Sequence, residues 1–64
     1  LTPIQIRNFG GDYHEFIKGY LIRKCYNVIE KYGKIYIIQD GMMYEIYWDV
    51  LEDEISILIE FKEV

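Results

Sequence analysis

At 64 residues, with 52% hydrophobic and 28% charged side chains, the chain is too apolar for a disordered tail and too short for more than one domain, so residues 1–64 read as a single unit. Its net charge of −4 argues against nucleic acid as a partner, because phosphate contacts dominate that kind of affinity. A single cysteine, Cys25, closes no internal disulfide, and a lone thiol suits a reducing compartment.

No apolar run approaches the roughly 18 residues of a membrane span, and the first residues lack the basic start and apolar stretch of a signal peptide. The expectation is a cytoplasmic protein with no membrane association. Because it begins at Leu1 and not at methionine, the chain reads as a processed or trimmed product.

Between Thr2 and Phe9, Ile4 and Ile6 alternate with Gln5 and Arg7, the pattern of a short strand with one buried face, and Pro3 fits its first position. Gly10-Gly11 breaks that pattern. Asp12, with Glu15 three residues later, then resembles a capping box and opens a helix. From Tyr13 to Tyr32, apolar residues recur at spacings of three and four: Tyr13, Phe16, Ile17, Tyr20, Leu21, Cys25, Val28, Ile29 and Tyr32. Gly33 supplies a stop. Against one long helix stand Gly19, which costs about 1 kcal/mol in a helix interior, and Lys24 near the middle of the apolar stripe. The alternative takes residues 20–29 as a strand after a single helical turn, giving an all-β meander or small barrel.

The two-residue connection Asp40-Gly41, between the apolar segments 34–39 and 42–49, is a tight-hairpin signal. Residues 54–63 alternate Ile55, Ile57, Ile59 and Phe61 against Ser56, Leu58, Glu60 and Lys62, with 50–53 as the loop between. The fold class is therefore α+β, in the order β-α-β-β-β, with one mainly antiparallel sheet and one long helix packed on one face.

Closing the hairpin at Asp40-Gly41 divides the sheet residues. Ile35, Ile37, Tyr44, Ile46, Trp48, Ile57, Ile59 and Phe61, with Met42 and Ile55, share the face that takes the helix. Tyr36, Ile38, Met43, Tyr47 and Leu58 fall on the other face among Glu45, Asp49 and Glu60, and no second helix remains to cover them. An exposed apolar cluster of this kind marks a partner surface; half-exposed tyrosines and methionines scattered on an open sheet are the plainer account. Residues 33–64 contain eight acids against two lysines, so that half is strongly acidic and would draw a basic protein surface.

Catalytic chemistry finds little footing. His14, the only histidine, sits at the start of the helix pattern, and Cys25 is about three turns away and reads as a small core residue. One cysteine and one histidine fall short of a zinc site. The acids at 49 and 52–54 lack the spacing of a calcium loop. No cofactor, metal or enzymatic activity is expected. The sequence points to a small acidic protein–protein interaction module, of the inhibitor or anti-defence type that occludes a basic surface. Tyr36, Ile38, Met43, Tyr47 and Leu58 would be its anchors, with Glu45, Asp49 and Glu60 steering association. The alternatives are a homo-oligomeric subunit of a larger assembly, a homodimer being the simplest, and a nucleic-acid binder using the outer helix face.

Overall fold

Asp12 acts as the expected helix cap: its carboxylate accepts the Glu15 N–H at 3.2 Å and its carbonyl accepts from Phe16. In the computed structural model, which describes residues Leu1 to Val64, the helix that follows is α1, Tyr13–Arg23. The strands are β1 (Ile4–Arg7), β2 (Asn27–Lys31), β3 (Lys34–Gln39), β4 (Met42–Val50) and β5 (Ser56–Glu63). The fold is α+β, with one helix on one open antiparallel sheet ordered β1-β5-β4-β3-β2.

The helix is eleven residues long and does not run on to Tyr32. It ends in a Schellman arrangement: the Cys25 N–H donates to the Ile22 carbonyl at 2.9 Å and the Tyr26 N–H to the Leu21 carbonyl at 3.0 Å. Cys25 occupies the left-handed position, φ 66°, which glycine usually holds. It is exposed and not part of the core. Lys24 is the C-cap residue, exposed, so the supposed interruption of the apolar stripe lies past the last turn.

Past this stop the chain forms a fifth strand, β2, within the segment for which helix and strand competed. Residues 20–23 are helix and 27–29 are strand. Gly33 is not a helix stop but the second residue of a tight turn. Tyr32 and Gly33 have φ of 54° and 76°, almost the values of Asp40 and Gly41 at 53° and 75°. Positive φ at both central residues gives the type I′ geometry whose twist suits an antiparallel pair. Two hairpins of one design thus join β2 to β3 and β3 to β4.

β1 crosses to pair with the last strand, Ile4 opposite Ile59 and Ile6 opposite Ile57. This brings the apolar alternations of both chain ends to the helix-facing side. There Ile17 and Leu21, one turn apart, meet Ile35, Ile37, Ile46, Ile57 and Ile59, all buried. Each fully buried side chain contributes about 1.5–3 kcal/mol. Tyr13, Phe16, Tyr20, Tyr26, Tyr44, Trp48 and Phe61 pack around this core. Met42 and Ile55, expected within it, are exposed beside the β3–β4 turn and in the β4–β5 loop.

Candidate functional site

The register settles which side chains share the side away from the helix. Tyr36 is opposite Glu45 and Ile38 opposite Met43. Tyr47 is opposite Glu60, and Asp49 opposite Leu58. All eight residues singled out from sequence therefore stand together on one sheet face, to which the chain supplies no second layer. Tyr47 is 42% and Ile38 38% exposed, while Tyr36, Met43 and Leu58 are half-buried among their strand neighbours.

One member of the set escaped sequence reading. Ile29 pairs with Tyr36 across β2 and β3, so it widens the apolar cluster, whereas a helix through this segment assigns it to the core. The alternation Asn27, Ile29, Lys31 against Val28 and Glu30 carried that signal, and the three–four spacing running through it obscured it.

The charge of the face also differs from that of its half of the sequence. Arg7, Lys31, Lys34 and Lys62 stand on it with Glu45, Asp49 and Glu60, four bases against three acids. Lys34 approaches the Glu45 carboxylate at 3.9 Å, and the Lys62 ammonium lies 4.6 Å from the centre of the Tyr47 ring. The acid surplus of residues 33–64 is displaced into turns and ends: Asp40, Glu52, Asp53, Glu54 and Glu63.

Two polar clusters lie beside the apolar set, and both do structural work. In the β4–β5 loop the Asp53 carboxylate accepts the Ser56 hydroxyl at 2.5 Å, and the Ser56 and Ile55 N–H groups at 2.7 and 3.0 Å. Those bonds, the Ser56 hydroxyl foremost, hold its pKa below the usual carboxylate value. On the helix side, Glu30 points inward from the edge strand β2, hydrogen-bonded to His14 and paired with Lys18 at 3.3 Å. His14 first and Lys18 second lower the Glu30 pKa. Glu15 and then Glu30 raise that of Lys18. His14 is thus more than a surface residue: it ties α1 to β2, with its ring edge-on to Trp48, 6.0 Å between centroids.

Comparison with protein-family models, with curated proteins and with solved structures finds no match. No three His, Cys, Asp or Glu side chains converge as metal ligands would. No helix is long and apolar enough to cross a membrane.

Proposed function

We propose that this chain is a protein–protein interaction module that binds through the uncovered face of its sheet. The observation that carries this reading is the set Ile29, Tyr36, Ile38, Met43, Tyr47 and Leu58. These six apolar residues are spread over four adjacent strands on the side away from the only helix. Aromatic and aliphatic side chains on a rigid sheet lose little conformational entropy on binding, which makes them effective anchors. The balanced charge of the face gives no preference for a strongly basic partner, so occlusion of such a surface draws no support from this side of the molecule.

The test is the double substitution Tyr36→Ala with Tyr47→Ala, compared with Ile22→Ala on the exposed side of α1. Far-ultraviolet circular dichroism should match the parent chain in both. Association with protein partners, a second copy of the chain included, should be lost in the double variant and kept in Ile22→Ala. Undiminished association in a folded double variant would rule the face out.

A further inference from the structure

We infer that the occupant of the open face is a second copy of this chain, packed sheet on sheet about a two-fold axis that runs along β4. The inference rests on reading that face as a protein-binding surface and specifies what binds there. A face with four bases and three acids is close to neutral, and such a surface can meet its own copy without net repulsion.

The strand register makes the match specific. Lys34 lies two residues before Tyr36, the partner of Glu45, and so stands level with Tyr47 on β3; Glu60 pairs with Tyr47 from the other side, on β5. A two-fold axis along β4 lays β5 of one copy over β3 of the other, as an isologous interface requires. Glu60 of each copy then meets Lys34 of its mate, and Lys62 meets the ring of Tyr36. Tyr47 sits on the axis, against its own copy, and so does Asp49, exposed to solvent two residues further along β4 toward the β4–β5 loop. Glu45, also on the axis, has Lys34 at 3.9 Å and Lys62 as its cross-strand partner.

The edges of the sheet offer no comparable route. β1 is four residues long and follows Pro3, while β2 turns the charged Glu30 inward and carries Lys31, the features that discourage edge pairing. Five strands about 4.8 Å apart and about 20 Å long give a face of roughly 500 Å² per copy. The total of about 1,000 Å² is at the lower end for a specific interface, so the dimer dissociates on dilution.

Sedimentation equilibrium across a concentration series tests this with the parent chain, Glu60→Lys and Lys34→Glu, each confirmed as folded by circular dichroism. The parent chain should pass from monomer to dimer. Each variant alone juxtaposes like charges twice and should weaken association at least about tenfold. An equimolar mixture of the two regenerates both opposite-charge contacts, so it should associate nearly as well as the parent chain. A parent chain that stays monomeric up to about 1 mM, or a mixture no better than its components, overturns the inference. Either result leaves the face itself to be judged by the Tyr36→Ala with Tyr47→Ala comparison, so the two readings fail separately.

Discussion

Cys25 holds a left-handed backbone conformation, φ 66°, that a side chain disfavours by about 1–2 kcal/mol and glycine adopts freely. This residue explains why the helix end was hard to read: the stop is made by hydrogen-bond geometry at a position where the sequence has no glycine. Cys25→Gly should raise unfolding stability by about 0.5–1 kcal/mol, after allowance for the freer unfolded chain. An unchanged or lower urea midpoint would contradict the strain assigned here. Gly19 offers a second gain. A Cβ there meets only the end of the flexible Arg23 side chain, at 3.1 Å, so Gly19→Ala should add up to about 1 kcal/mol.

The folded pKa of Asp53 lies below its ordinary value, so its stabilisation is present above the unfolded carboxylate range and disappears as pH falls through the lowered folded value. The same sign holds for Glu30. Lys18 has the opposite sense: its raised pKa adds stability that is present below the ordinary lysine value and lost as pH rises through the folded one. Asp53→Asn should therefore be less stable than the parent chain at neutral pH, and the gap should close in acid. A gap independent of pH would show that Asp53 acts through shape alone.

At the scale of elements, sequence legibility followed how local each signal was. Asp40-Gly41 encodes both a turn and the pairing beside it: a two-residue hairpin closed there puts Tyr36 opposite Glu45, Ile37 opposite Tyr44 and Ile38 opposite Met43, as observed. Tyr32-Gly33 uses the same backbone geometry, but tyrosine at the first turn position gives no such cue, and its glycine doubles as a plausible helix stop. Tyr32→Asn, which restores the preferred residue at that place, should stabilise the β2–β3 hairpin by up to about 1 kcal/mol. A drop in thermal midpoint would contradict the turn assignment. The site was better served than the helix: all eight chosen residues share a face because period-two alternation survives errors elsewhere, and Ile29 was missed because β2 itself was.

At the scale of the molecule, the pairing of β1 with β5 was not readable, since it joins residues 4–7 to 56–59 and no local pattern encodes such a contact. Nor was the charge of the open face, because an acid count over half the sequence does not say which acids stand in turns. Together they leave the sheet side opposite α1 as the proposed surface for protein, with a second copy of this chain as its proposed occupant. Two-dimensional nuclear magnetic resonance of the labelled chain, followed from dilute to concentrated solution, tests it most directly. Concentration-dependent shifts are expected at Ile29, Tyr36, Met43, Tyr47 and Leu58, with Glu15 and Ile22 on the outer side of the helix unmoved. Shifts confined to the helix would contradict the face, and none at any concentration would contradict its occupation by a second copy.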